Sequence, residues 1–472
     1  MFVGRENELT HLNNEYKNNH SFVIIYGRRR CGKTTLIQKF IEDKDSMFFQ
    51  ATEDEDVVNI SNFINTLYLS TNNPLLKNYI TTSWEDAFNI YLNTIDKSKK
   101  NILVIDEFSY IVSKNKAFPS ILQKIWDLYL SKENIMLILC GSLVSIMKKS
   151  ALNYNSPLYG RRTSQIKINP LPFTDATKMM KTKNFKDQVR FYSITGGIPL
   201  YLNLIQNNDI EIFVKQTCLN TSGYLFIEPA ILLNHSYNLN NSYLSVINAI
   251  GSGHTKPTDI ASFLNKKTNE ISPALQLLEE QLIIKKELPA TENKKSRKGI
   301  YLINDKFLNF YFHFIKPFES QIERGLFDSA YKHFNDTFYF QFQGKVFESV
   351  CRELFITEIK NKKIEWNIDT LGSYFNRDHS IEIDVVSLDK INNKLFLGEC
   401  KFFNKKTVDI STFNNLVEKS KIFKTEKITY GLFSATGFTK EVLDLAKNND
   451  NLLLFNEYRY IPKSEIHKAK NI

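Results

Sequence analysis

Hydrophobic residues fall along the chain in short unbroken runs, separated by stretches that alternate apolar and polar positions at helical spacing. The runs at 21–26, 101–105 and 135–140 read as buried strands, and 34–41 as the helix that follows the first of them. Such alternation predicts a parallel sheet covered by helices. A helical stretch over about 173–233, broken by Gly196-Gly197-Ile198-Pro199, predicts a lid on that first domain. Residues 243–314 have a different character. A short helix opens near Pro257, a polar turn covers 264–268, and a second helix covers about 269–281. Strands at 282–286 and 300–303 then flank a charged loop at 292–299. That order, helix-turn-helix followed by a hairpin, predicts a winged helix. Further on, 318–334 reads as a connector, 344–359 as a helix and 380–403 as a hairpin.

The pattern divides the chain into an α/β multidomain protein. Its parts are a parallel α/β core at 1–170, a helical lid at 171–238, a winged helix at 239–317, a connector at 318–335 and a mixed α/β domain at 336–472. Length agrees, since 472 residues exceed what one hydrophobic core organises. A hydrophobic content of 42% argues against wholesale disorder. No apolar run is long enough to span a bilayer, and the first residues lack a signal-peptide pattern. Five scattered cysteines without CxxC pairs argue against disulfides and zinc, so a reducing cytoplasm is the expected setting, with no membrane partner. The formal net charge of +10 permits a polyanionic partner. It is equally the result of a chain rich in lysine throughout.

Candidate chemistry starts at Gly27-Arg28-Arg29-Arg30-Cys31-Gly32-Lys33-Thr34, which fits G-x-x-x-x-G-K-[ST] between a strand and a helix. The glycines let backbone N–H groups face phosphates, and the helix beginning near Thr34 and Thr35 adds the positive end of its dipole. Lys33 is placed for the β- and γ-phosphates of ATP and Thr34 for Mg²⁺. The run at 102–105 ends in Asp106 and Glu107, carboxylates at the edge of the sheet where such folds bind ligands. Asp106 is expected to hold Mg²⁺ through its water, and Glu107 to orient the attacking water. Ser142, after Cys140-Gly141, either senses the γ-phosphate or caps the next helix.

The hairpin near the end of the chain carries a second constellation. Glu382 and Asp384 share one strand face, as do Glu399 and Lys401, and the turn at 389–394 lets Asp384, Glu399 and Lys401 meet. Two carboxylates able to hold Mg²⁺ and a lysine beside them suit metal-dependent phosphodiester cleavage. Glu382 is the neighbour expected to face solvent. Phosphate contacts in the winged helix would come from Lys266, Lys267, Lys294, Lys295, Arg297 and Lys298.

Together these residues resemble prokaryotic AAA+-like ATPases of the archaeal-ATPase type, whose carboxyl-terminal extension is similar to a PD-(D/E)XK nuclease. The matching segments include Phe2-Val3-Gly4-Arg5-Glu6, the phosphate loop, Val104–Phe108, Leu139–Ser142, Leu158–Thr163 and Thr195–Pro199. The resemblance implies that Gly4, Arg5 and Pro199 close around adenine. It implies that Arg161 or Arg162 meets nucleotide, often across a subunit boundary, so a homo-oligomer is among the expected partners. It adds Glu348 as a further metal ligand. The function it implies is a Mg²⁺-dependent ATPase coupled to a module that acts on nucleic acid, DNA first. The alternative is a signalling, scaffolding or DNA-binding NTPase whose nuclease-like domain only binds.

Overall fold

The computed structural model describes residues 2–233, 241–293, 296, 298–425 and 427–466. The chain forms two compact units. Of the described residues, one comprises 2–171 with 198–200 and 233, and the other 172–197, 201–232 and those from 241 to 466.

The first unit is built on five strands, β1 (Ser21–Tyr26), β2 (Ser46–Gln50), β3 (Asn101–Asp106), β4 (Ile135–Gly141) and β5 (Ser164–Lys167). All neighbours are parallel, in the order β2-β3-β4-β1-β5. The continuous apolar runs lie at the centre because both faces there are covered. Phe22, Ile24, Leu103, Ile105, Leu137 and Leu139 enter one core with Phe63, Trp84, Phe88 and Phe118 of the flanking helices. Val23, Ile25, Ile102, Val104, Met136 and Ile138 are equally buried on the alternate positions. Each such side chain contributes about 1.5–3 kcal/mol. The sheet thus holds the C-terminal ends of β1, β3 and β4 rigidly side by side.

In the second unit, helices Asn241–Gly251, Pro257–Phe263 and Thr268–Glu280 precede an antiparallel pair, β6 (Ile284–Glu287) and β7 (Ile300–Ile303). The segment expected as a connector folds into helices, Glu319–Glu323 and Asp328–Thr337. Aromatic burial explains this, since Phe334 packs against Phe310, Phe314 and Phe338 with ring centroids 4.6–6.2 Å apart. The remaining strands are β8 (Thr370–Phe375), β9 (Glu382–Asp389), β10 (Lys394–Lys401), β11 (Ile428–Ser434), β12 (Leu452–Asn456) and β13 (Arg459–Ile461). They form one mixed sheet in the order β13-β12-β11-β10-β9-β8, with β10, β11 and β12 parallel. Helix Gln343–Lys360 lies on it through Phe355, whose ring stacks on Phe396 at 4.3 Å. Leu416, Val442 and Ala446 cover other core positions of the sheet.

No helix among the described residues is long and apolar enough to cross a membrane.

Candidate nucleotide site and carboxylate cluster

The phosphate loop leaves β1 at Gly27 and ends at Gly32, which precedes helix Lys33–Ile41 in a left-handed conformation (φ 84°). A side chain at Gly27 would put its Cβ 2.2 Å from the Ile168 carbonyl oxygen, so only glycine lets the loop lie this close to the segment after β5. Within the loop, Arg30 adopts φ 69°, an unfavourable value for a residue with a side chain. Lys33 is buried, and its ammonium folds back over the loop to donate to the Arg28 carbonyl at 3.1 Å. Thr35, next in the helix, is exposed. Burial pushes the Cys31 thiol above its ordinary value against the pull of Arg28, Lys33 and Arg5, which makes it a packing residue rather than a nucleophile.

Thr34 and Asp106 meet directly, the hydroxyl donating to Oδ2 at 2.8 Å. Asp106 is almost fully buried at the end of β3, and its Oδ1 accepts from the Glu107 N–H at 2.9 Å. A hydroxyl and a carboxylate side by side beneath a glycine loop form a donor set that fits Mg²⁺ and a nucleotide phosphate. Burial also pushes the Cys140 thiol well up, helped by the neighbouring Asp106.

Glu107 has φ 52° and stands at the start of helix Phe108–Lys114. Its Oε2 accepts from both the Oγ (2.7 Å) and the N–H (3.2 Å) of Ser142, which follows β4. Of the two roles open to Ser142, capping the next helix is not the one seen: helix Val144–Met147 follows Leu143 without a side-chain cap. The β3–β4 pairing is what brings Ser142 to Glu107, and no local pattern foreshadows it.

Arg5 is buried and donates to the Cys31 carbonyl (3.0 Å), the Asn169 carbonyl (2.7 Å) and Glu8 (3.1 Å). Gly4 before it has φ 66°. Pro199 lies over the loop, its Cγ 3.9 Å from where a Cβ on Gly32 would stand. Arg29 donates to the Tyr110 hydroxyl. The two arginines expected to meet nucleotide are engaged within the chain. Arg161 grips Asp127 through Nη2 (2.9 Å) and Nε (3.2 Å). Arg162 donates to the carbonyls of Ala151 and Leu152, with its guanidinium 4.5 Å from the Tyr159 ring centroid.

In the second unit, antiparallel pairing of β9 and β10 sets Val385 opposite Gly398 and so brings Asp384 beside Glu399. The Asp384 carboxylate accepts from the Cys400 N–H at 2.8 Å. Burial, and then the Glu399 charge, push the Asp384 carboxyl up. Glu348, on helix Gln343–Lys360, is pushed above the usual carboxylate range by burial and then by Asp384. Lys345 answers Glu348 at 3.1 Å and Glu382 at 3.7 Å, while His379 meets Glu382 at 2.7 Å. Glu399 is bracketed by Lys401 at 2.8 Å and Lys419 at 3.0 Å. Burial alone lowers the Lys401 amine, but the Glu399 and Asp384 charges outweigh it and keep it protonated.

Among the described residues no group of three His, Cys, Asp or Glu side chains stands gathered as for a metal ion. The outer carboxylates are each engaged by lysines, Glu348 by Lys345 and Glu399 by Lys401 and Lys419. Mg²⁺ needs only one or two carboxylates beside water, and buried acids crowded together, as Asp384 and Glu348 are, fit a cation. Lys419, on helix Ile410–Ser420, and Arg352, which donates to the Asp384 carbonyl, were not read from the sequence. No spacing links them to the hairpin. Of the basic residues expected on the winged helix, Lys266 and Lys267 are exposed, and Lys298 pairs with Glu292. Lys294, Lys295 and Arg297 lie outside the described residues.

A parallel α/β sheet carrying this loop, with Thr34 against Asp106, defines a P-loop NTPase core of the Walker type. Residues 2–205 match the family described as an ATPase domain predominantly from Archaea, and 311–413 match one described as archaeal and bacterial proteins of unknown function. An uncharacterized protein of Methanocaldococcus jannaschii is 33% identical over 424 residues, 89% of this chain and 92% of that protein. The chain belongs to the same family, and in it an ATP-binding, ATPase-type domain precedes the carboxyl-terminal match. An uncharacterized ATP-binding protein of the same archaeon is 51% identical over 45 residues, 9% of this chain and 76% of that protein. The Walker-type ATPase of Pyrococcus abyssi shares the fold at TM-score 0.52 and 16% identity, over 66% of this chain and 96% of that one.

Proposed function

We propose that the chain is a Mg²⁺-dependent ATPase whose nucleotide state governs a nucleic-acid-acting module at its carboxyl end. The observation that carries this reading is the linked set Thr34–Asp106–Glu107–Ser142 beneath the phosphate loop. The backbone N–H groups from Gly27 to Thr34 would receive the phosphates, and Lys33 would exchange the Arg28 carbonyl for phosphate oxygens. Thr34 and Asp106 would hold Mg²⁺, which when bound neutralises charge on the phosphates. Glu107, once released by Ser142, would orient the attacking water. Arg5 supports the loop from below, and Gly4 and Pro199 fit an adenine-side wall. Arg161 or Arg162 would reach the nucleotide of a second copy only by giving up its present partners, Asp127 or the Ala151 and Leu152 carbonyls.

The second unit supports two finer assignments. Three helices followed by the β6–β7 hairpin fit a winged helix at 239–317, with DNA as its partner through Lys266 and Lys267. The β9–β10 hairpin with helix Gln343–Lys360 fits a PD-(D/E)XK nuclease at 336–472, in which Asp384 and Glu399 hold Mg²⁺ and Lys401 positions water. A second reading, a domain that binds without cutting, is favoured by the ion pairs that already engage Glu348 with Lys345 and Glu399 with Lys401 and Lys419.

The test is ATP binding and turnover by the wild type, Lys33→Ala and Glu107→Gln, together with Mg²⁺- and Mn²⁺-dependent cleavage of DNA and RNA with a Lys401→Ala control. Unchanged ATP affinity in Lys33→Ala would overturn the ATPase reading. Cleavage that survives Lys401→Ala would overturn the nuclease assignment. The binding-only reading predicts no cleavage under any nucleotide or metal condition.

A further inference from the structure

A cavity of about 450 Å³ opens within the second unit, with Glu348 and Asp384 in its wall. Its volume falls in the range of small-ligand pockets rather than of a groove that accepts a double helix. One wall is a single face of helix Gln343–Lys360, where Lys345, Glu348, Ser349 and Arg352 recur at intervals of three and four residues. The facing wall comes from the helix-and-hairpin region, with Lys285 on β6 and Lys306 just after β7. Both signs of charge therefore face the cavity from each wall: Lys345 and Arg352 stand beside Glu348 on the helix, and Lys285 pairs with Glu287 on β6 at 2.7 Å. A third feature is aromatic: Phe375 and His379 both line the cavity and stack in parallel, 5.0 Å between centroids and 6° between planes.

Each chemistry answers a different part of one nucleotide. Carboxylates suit a divalent cation on a phosphate, Lys285 and Lys306 suit the remaining phosphate oxygens, and a flat aromatic pair suits a base face. A paired base cannot enter such a pocket without leaving its stack; enzymes that reach a target in a pocket of this size take it unpaired or extruded. We infer that the cavity receives one unpaired nucleotide, so that the nucleic acid handled here is a single strand or a strand end rather than an intact duplex. This inference rests on the nucleic-acid reading proposed above and names its substrate class.

The experiment measures anisotropy of a fluorescent single-stranded DNA oligonucleotide and of the blunt duplex of the same sequence, with the full chain in Ca²⁺ at fixed salt. The same substrates are then incubated with Mn²⁺ and scored for cleavage. Ser349→Trp fills the cavity and alters no group assigned to catalysis. Expected are at least tenfold tighter binding of the single strand, loss of that preference in Ser349→Trp, and displacement of the strand from the wild type by thymidine monophosphate. The last measurement needs no substitution and decides the matter if Ser349→Trp fails to fold. Equal or tighter binding of the duplex, or failure of the mononucleotide to compete, overturns the inference. Duplex cleavage undiminished in Ser349→Trp would also sink it while leaving the nuclease assignment standing. Single-strand binding blocked by the mononucleotide but without cleavage supports the cavity and removes the nuclease.

Discussion

The phosphate loop and the carboxylate cluster both gather acids beside lysines, yet they hold their charges in different ways. At the loop, each carboxylate has neutral donors of its own: Asp106 takes the Thr34 hydroxyl and the Glu107 N–H, and Glu107 takes Ser142. In the cluster, acids press on acids, with Asp384 raised by burial and by Glu399, and Glu348 by burial and by Asp384. Lysines from separate elements supply the counter-charge there. A site satisfied by hydroxyls and amides is complete before any cation arrives. A site where burial and a neighbouring carboxylate raise Asp384 and Glu348 gains when one binds.

The sharpest way to break this contrast is Glu107→Gln. It keeps the steric fit and one acceptor for Ser142, and is expected to retain ATP binding while turnover falls by about 10²–10⁴; undiminished turnover in a steady-state assay would reassign the water-orienting role. Lys33→Ala comes next, removing a charge-assisted contact to phosphate worth about 1.5–3 kcal/mol, read as at least a tenfold loss of ATP affinity by calorimetry. The cluster should respond to pH with the opposite sign from a salt-bridged acid. Because Glu348 and Asp384 are raised in the folded state, their contribution to stability is full below the ordinary carboxylate range and is lost as pH rises through the raised values. Mn²⁺ should then increase Tm more in mildly alkaline buffer than in acid, and Asp384→Asn should flatten that difference. The smallest effect is expected from Ser142→Ala, which removes one hydrogen bond at a cost of about 1 kcal/mol in chemical denaturation and leaves Glu107 freer, so that turnover holds or rises.

The two sites also differ in how far they could be read beforehand. The runs at 21–26, 101–105 and 135–140 announced β1, β3 and β4 because those strands are central and apolar on both faces. The edge strands β2 and β5 were missed: β5 buries only Ile166, and β2 buries only Met47 and Phe49. The phosphate loop was legible because a short contiguous motif is enough to make it. Ser142 was visible as a residue, but its bond to Glu107 depends on β3 lying next to β4, which periodicity does not specify. In the cluster, the hairpin announced Asp384, Glu399 and Lys401, since register in a hairpin is local. Lys419 and Arg352 reach it from helices distant in sequence, and only tertiary packing brings them there.

Arg5 has a consequence for how quickly and tightly the first site can work. A guanidinium bonded at once to the carbonyls of Cys31 and Asn169 and to Glu8 acts as a rivet through the base of the loop. A loop so fastened is shaped before its ligand arrives, and affinity is not discounted by the entropy of ordering it. The rivet depends on the planar fork of arginine, which a single ammonium does not reproduce. Lysine at this position would preserve the charge and loosen the cradle, slowing capture at a site whose own chemistry was untouched.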